Sequence, residues 1–175
     1  MDNQQKFRKI MKEWVIPVVL EIIVVLFFVK NVAFLIRVPT GSMIPTIDEK
    51  SWLVATRIHN PEKRVERGDI IAFYSDELDK MLIKRCIGLP GETVDIDDDG
   101  QVYIDGELLN EEYVVYHSGV SGHFEVPEGS YFFLGDNRSG SLDARFWEDP
   151  YIPAEKVYGQ AHFTLWPLDN FGPLK

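Results

Sequence analysis

A chain of 175 residues, 45% of them apolar, has room for one domain with its own core beside a membrane-length segment, and two full domains would be crowded. Cys86 is the only cysteine, which excludes a disulfide framework and a thiolate zinc cluster. The net charge is −10; setting aside the first 37 residues, with six basic and three acidic side chains, leaves 12 basic and 25 acidic residues, a balance of −13 that repels phosphate backbones and argues against a nucleic-acid partner.

The first predicted element is an apolar helix over residues 14–36, 23 residues or about 35 Å, long enough to cross a hydrocarbon core. Glu21, Lys30 and Asn31 interrupt it. An acidic side chain in mid-span costs about 2.5 to 3.5 kcal/mol, which the apolar residues on both sides of Glu21 offset, and Lys30 is near enough to the end to snorkel. Lys6, Arg8, Lys9 and Lys12 precede the helix, so the positive-inside rule puts residues 1–13 in the cytoplasm and residues 37–175 outside. The run is long for a cleavable signal peptide and residues 30–36 hold no small-x-small pair, so an uncleaved anchor is favoured over a cleaved signal or a core helix.

Six residues past this segment stands Ser42, in Pro39-Thr40-Gly41-Ser42-Met43-Ile44-Pro45-Thr46. Two prolines and a glycine restrict the backbone there to turn or extended geometry, which suits a nucleophile on a fixed loop and suits a plain linker equally well. Beyond it, short runs of β-branched and aromatic residues alternate with turn chemistry, at 51–57, 69–75, 81–87, 93–96, 102–104, 131–134 and 157–166. Breakers such as Arg67-Gly68-Asp69, Leu89-Pro90-Gly91 and Asp105-Gly106 separate them, and residues 113–124 read as a loop or irregular hairpin. The predicted fold is mainly β: an N-terminal transmembrane helix, then an extracytoplasmic antiparallel domain of coiled, barrel-like sheets.

Lys84 lies within the third of these runs, where alternation puts it on one face with Leu82 and Cys86 and points it toward an apolar side. A lysine at its reference pKa near 10.4 is neutral about once in 2,500 molecules at pH 7; desolvation lowering that by about 3 units, about 4 kcal/mol, would make it a usable base. A strand lysine whose stem packs and whose head snorkels fits the same spacing, so both readings stay open. The segment Asp95-Ile96-Asp97-Asp98-Asp99-Gly100 matches the opening of a calcium loop, but the twelfth position is Gly106 and no helices flank it, so a hairpin turned at Asp99-Gly100 is expected and no metal. His59, His117, His123 and His162 are scattered without a ligand pattern, and Cys86 reads as a small core residue. Residues 135–145, Gly-Asp-Asn-Arg-Ser-Gly-Ser-Leu-Asp-Ala-Arg, place hydroxyls, carboxylates and guanidinia at a strand end, which fits a bonded network bracing a site and fits a solvated loop closed by a surface ion pair.

In order along the chain, the apolar segment, Gly41-Ser42-Met43-Ile44-Pro45-Thr46, Arg67-Gly68-Asp69-Ile70-Ile71-Ala72-Phe73, Lys84-Arg85-Cys86-Ile87-Gly88-Leu89-Pro90-Gly91-Glu92 and Gly135-Asp136-Asn137-Arg138 with Ser141, Asp143 and Arg145 resemble the bacterial type I signal peptidases in their short, single-span form. The resemblance implies a membrane-anchored serine endopeptidase that cuts signal peptides from exported preproteins after small-x-small sites, at the outer side of the cytoplasmic membrane, with lipid as its surroundings and no cofactor. It implies that Ser42 is the nucleophile and Lys84 the general base, and that the Thr40 hydroxyl joins the Ser42 backbone N–H in the oxyanion hole. Ser141 would orient the lysine amine, Asp136, Arg138, Asp143, Arg145 and Arg85 would brace the site, and Met43 would pack beside the nucleophile and substrate pockets. The chain departs from the family pattern at Ala144, where serine is usual, and at Cys86, where valine is common; neither has a proton-transfer role. Two other readings remain: a different Ser-Lys processing peptidase, and a catalytically silent, membrane-tethered binder of exported chains. A self-cleaving repressor would lack the N-terminal span and carry a DNA-binding module.

Overall fold

The computed structural model describes residues 3–174, which fall into two compact units parting between Phe34 and Leu35. The N-terminal unit is helical: α1 (Asn3–Ile10), a π-helical turn (Met11–Val15) and α2 (Ile16–Asn31). The π turn lies where the ring of Pro17 would otherwise meet the carbonyl of residue 13, and widening the turn relieves that clash. From Trp14 to Val29 every large apolar side chain is exposed, so apart from Glu21 and the polar pair Lys30 and Asn31 at its end α2 presents an apolar surface.

Here the expectation for residues 14–36 is corrected. The α-helix stops at Asn31, whose side-chain amide donates to Phe27 O at 2.8 Å while the Val32 N–H closes the last turn on Phe28 O; residues 33–37 are extended. Among the described residues no helix is long and apolar enough to cross a membrane. The 16 residues of α2 rise about 24 Å at 1.5 Å each, against about 30 Å of hydrocarbon.

The second unit is built on two sheets. The strands are β1 (Ala33–Arg37), β2 (Trp52–Arg57), β3 (Ile70–Ser75), β4 (Lys80–Gly88), β5 (Thr93–Ile96), β6 (Val102–Ile104), β7 (Glu107–Leu108), β8 (Gly122–Glu125), β9 (Ser130–Leu134), β10 (Tyr151–Pro153), β11 (Val157–Trp166) and β12 (Gly172–Pro173). The larger sheet has the order β1-β2-β11-β3-β4-β9-β10 with β12 on β11, the smaller β7-β6-β5-β8, and the pairings from β2 to β12 are antiparallel. The seven predicted strands are present, each within a residue or so of its expected limits. Part of the expected 113–124 loop is strand, because β8 pairs with β5. The hairpin expected at Asp99-Gly100 joins β5 to β6: Asp97 Oδ1 accepts the N–H groups of Asp99 and Gln101, and Gly100 takes φ +79°, where a side chain would be strained.

One core fills the space the sheets enclose, drawing Phe73, Cys86, Phe132, Phe133 and Leu134 from the larger sheet and Val94, Ile96, Val102 and Ile104 from the smaller. Phe73 and Phe133 stack with centroids 4.4 Å apart, and Phe124 meets Phe132 at 4.5 Å. At Gly88, where the β4–β9 register shifts, an added Cβ would lie 2.7 Å from Val94 and 2.8 Å from Val126, so the close packing there depends on glycine. The core fixes the centre of the larger sheet, and β4 is in that centre. Its neighbours pair Ile71 with Lys84 and Leu134 with Arg85, which sets the start of the 135–145 loop beside both basic residues.

Candidate active site

Ser42 sits in the loop that joins β1 to β2. Backbone bonds between Val38 and Ser51 and between Lys50 and Val38 close the loop, and turns from Ile44 to Gly41 and from Ile47 to Met43 shape its interior. Its fixing points come from far along the chain: Asn137 N donates to Ser42 O at 3.1 Å and Asn137 Nδ2 to Gly41 O at 3.0 Å. Gly135 approaches so closely that a Cβ there would lie 2.5 Å from Ser42 O and 2.2 Å from Ser141 Oγ. Those contacts leave Ser42 only 5% exposed on a loop held at both carbonyls.

Lys84 reaches the same point from the sheet. It is 3% exposed, and its Nζ donates to Ser42 Oγ at 2.6 Å, so the packed-and-snorkelling alternative does not describe it. Burial pushes its pKa from the ordinary 10.5 down to about 8, opposed by the carboxylates of Asp143 and Asp136 and assisted by Lys80 and Arg145. At 1.36 kcal/mol per pH unit, holding the amine in this position costs about 3 kcal/mol when it is charged. In return, about one molecule in ten carries a neutral amine at pH 7. Thr40 Oγ1 donates to Ser42 Oγ at 3.4 Å, a long bond that leaves this hydroxyl free to turn toward another acceptor.

The bracing residues form two connected groups. Arg85 grips Asp136 with two bonds, Nε to Oδ1 at 2.9 Å and Nη2 to Oδ2 at 2.6 Å, and also donates to Gly68 O; Thr46 donates to Asp136 at 2.5 Å. Arg145 grips Asp143 through Nε at 2.8 Å and Nη2 at 2.9 Å, and Asp143 in turn accepts from Gly135 N at 3.0 Å. The two are linked by Arg138, which donates to Gly135 O and whose own carbonyl accepts from Arg145 Nη2 at 2.8 Å. Buried pairs of this kind contribute little net stability, but removing one partner leaves an uncompensated charge and typically costs 3 to 5 kcal/mol. Their effect here is geometric, since they hold the 135–145 loop against the Ser42 loop; the solvated-loop alternative does not apply.

One expected placement differs. Ser141 is buried beside Gly135, but its hydroxyl makes no hydrogen bond, so the bond to Lys84 implied by the resemblance is not formed. Met43, next to Ser42 in the chain, is wholly buried. Ala144 is also buried, and the Cys86 thiol lies in the core with its pKa pushed up by burial, which makes it inert. Four residues that bond into the site carried no singled-out signal: Thr46 and Asn137 lie inside the quoted motifs, while Glu111 and Tyr113 lie in a stretch without pattern.

Residues 11–166 match the family model described as signal peptidase, peptidase S26. A protein named signal peptidase I from Leptolyngbya laminosa is 37% identical over 146 residues, covering 78% of this chain and 70% of its own length. Another of that name from Bacillus licheniformis is 33% identical over 172 residues, 90% of each chain. A crystal structure of a signal peptidase I from Enterococcus faecalis V583 is 37% identical and covers 56% of this chain and 97% of its own, with a TM-score of 0.48.

Proposed function

The chain belongs to the signal peptidase family, peptidase S26, and we propose that it cuts exported preproteins after small-x-small sites with Ser42 as nucleophile and Lys84 as general base. It is a serine peptidase, a hydrolase. The observation that most supports the dyad is the 2.6 Å contact between a buried lysine amine and a serine hydroxyl, with the amine's pKa lowered to about 8. A protein that only held exported chains would gain nothing from burying that amine at a cost of about 3 kcal/mol.

In this reading the neutral amine of Lys84 accepts the Ser42 proton as Oγ attacks the scissile carbonyl carbon, giving a tetrahedral oxyanion. The Ser42 backbone N–H and the Thr40 hydroxyl, rotated away from Ser42 Oγ, donate to that oxygen. The Lys84 ammonium then returns its proton to the leaving amine, the C–N bond breaks and an ester to Ser42 remains. Water deprotonated by Lys84 attacks the ester, the C–O bond breaks and Ser42 recovers its proton. No histidine and no metal ion takes part. The substrate enters as extended chain, with small side chains at the first and third positions before the cut.

The test is cleavage of a purified preprotein in detergent, with the new N-terminus read by mass spectrometry. A cut after a small-x-small site is expected; a cut only at unrelated sequences would contradict the substrate assignment. In the same assay Thr40→Val is expected to lower kcat by about 10² to 10³, the usual result of losing one oxyanion donor, with KM little changed and with Thr40→Ser retaining most of the rate. A Thr40→Val enzyme within threefold of the parent would remove Thr40 from the oxyanion hole.

Residues 14–31 supply the proposed anchor to the membrane. Their apolar side chains are exposed on all sides, an arrangement unfavourable in water and favourable in lipid, and Lys6, Arg8, Lys9 and Lys12 precede them, as expected for a cytoplasmic N-terminus with the domain from residue 37 onward outside. The helical run continues through the π turn into α1, which lengthens it beyond the 16 residues of α2. The full chain is expected to stay in the membrane pellet after alkaline carbonate washing, and a variant lacking residues 3–31 to leave it. Release of the full chain would contradict the anchor.

A further inference from the structure

Glu111 and Tyr113 stand between β7 and β8, in the connection that leaves the smaller sheet and passes the site. Glu111 Oε1 accepts from Arg138 Nη2 at 2.5 Å and from Tyr113 OH at 2.6 Å. The ring of Tyr113 lies under the guanidinium of Arg85, 3.9 Å from centroid to Cζ. These two side chains thus touch Arg85, which grips Asp136, and Arg138, the arginine that links the two bracing groups. From Arg138 the contacts run to Gly135 O, and Gly135 packs on Ser42 O and donates to Asp143, the carboxylate with the largest effect on Lys84. From Arg85 they run to Asp136, then to Thr46 in the Ser42 loop.

We propose that Glu111 and Tyr113 are positioning residues for the Ser42–Lys84 reaction, holding Arg138 and Arg85 so that the two loops meet in attack geometry. The inference rests on the reading of Ser42 and Lys84 given above. The side chain of Glu111 is 9% exposed and is turned to internal arginines, so its loss changes the arrangement of the reacting groups more than the surface available to a substrate chain. A displacement of about 1 Å at reacting atoms lowers a rate by about 10². The glutamate carries the charge that Arg138 needs, and the tyrosine hydroxyl fixes which way that carboxylate points.

The experiment is steady-state kinetics of the full chain in detergent with a purified preprotein, at a temperature well below each variant's Tm and normalised to folded enzyme. Glu111→Ala is expected to lower kcat about 30-fold with KM within threefold, and Glu111→Gln, which keeps an acceptor for both Arg138 and Tyr113, to recover most of that loss. Tyr113→Leu, which removes both ring and hydroxyl, is expected to lower kcat about tenfold. A folded Glu111→Ala enzyme with kcat within twofold of the parent would overturn the proposal, as would Tyr113→Leu with unchanged kcat should Glu111→Ala not fold. A loss of folded fraction with normal kcat per folded molecule would reduce both residues to structural supports and also overturn it. Ser42→Ala in the same series separates the two levels: if that variant keeps its activity, the dyad fails first, whatever the Glu111 variants do.

Discussion

Ser42→Ala is expected to lower preprotein cleavage by on the order of 10⁴-fold or more, with the protein still folded and still binding its substrate. Removing one hydroxyl leaves the loop contacts of Asn137 and Gly135, which are made to backbone carbonyls at residues 41 and 42, untouched. What is lost is the only atom that the mechanism gives to the acyl group. Residual rate would come from the oxyanion donors and from positioning alone, which is why an effect of this size is expected rather than complete silence. The uncleaved preprotein should therefore remain associated with the variant, which a pull-down in detergent would detect. Activity within tenfold of the parent would mean that another group attacks the peptide.

Lys84→Met is expected to abolish cleavage to a similar degree and, at the same time, to stabilise the protein. In the folded state the amine has a pKa of about 8, while in the unfolded chain it returns to about 10.5, so between those values the unfolded chain binds more protons and stability rises with pH. Below pH 8 the whole penalty of about 3 kcal/mol is present. Methionine fills a similar volume without the charge. Allowing about 1 kcal/mol for the lost bond to Ser42 Oγ, the variant should gain about 2 kcal/mol at pH 7, or roughly 5 °C in Tm, and the difference should shrink as the pH approaches 10.5. Thermal unfolding of both proteins at pH 7 and pH 10 would check this. A variant that loses stability at pH 7 would mean the amine is held by compensating contacts and has no reason to deprotonate.

Much of this was legible in the residues. The seven strands expected from the sequence announced themselves because β-branched and aromatic runs end at Gly, Pro and Asp turns, which act locally. Residues 33–37 were hidden for a different reason: an apolar run continuing from a helix has no periodicity of its own, and only pairing in the sheet makes it a strand. The strands β7, β8, β10 and β12 exist because neighbouring strands offer them partners, and within them Gly, Pro or a charged residue breaks up the short run that would have declared a strand. At the site, chemistry singled out Ser42 and Lys84, but 42 residues separate them, and the register of β4 against β3 and β9 that unites them is a tertiary fact. Ser141 illustrates the limit of resemblance, since its position is as expected and its hydrogen bond is not. Glu111 and Tyr113 were illegible, because a glutamate and a tyrosine in a patternless connection acquire meaning only from the arginines they meet.

The pH dependence of kcat/KM, measured on a preprotein whose own groups do not titrate between pH 6 and 9, tests most directly whether Lys84 is the base. A rate proportional to the neutral amine should rise about tenfold per pH unit below about 8 and level off above it. A profile that is flat from pH 6 to pH 9 would contradict the Ser42–Lys84 dyad.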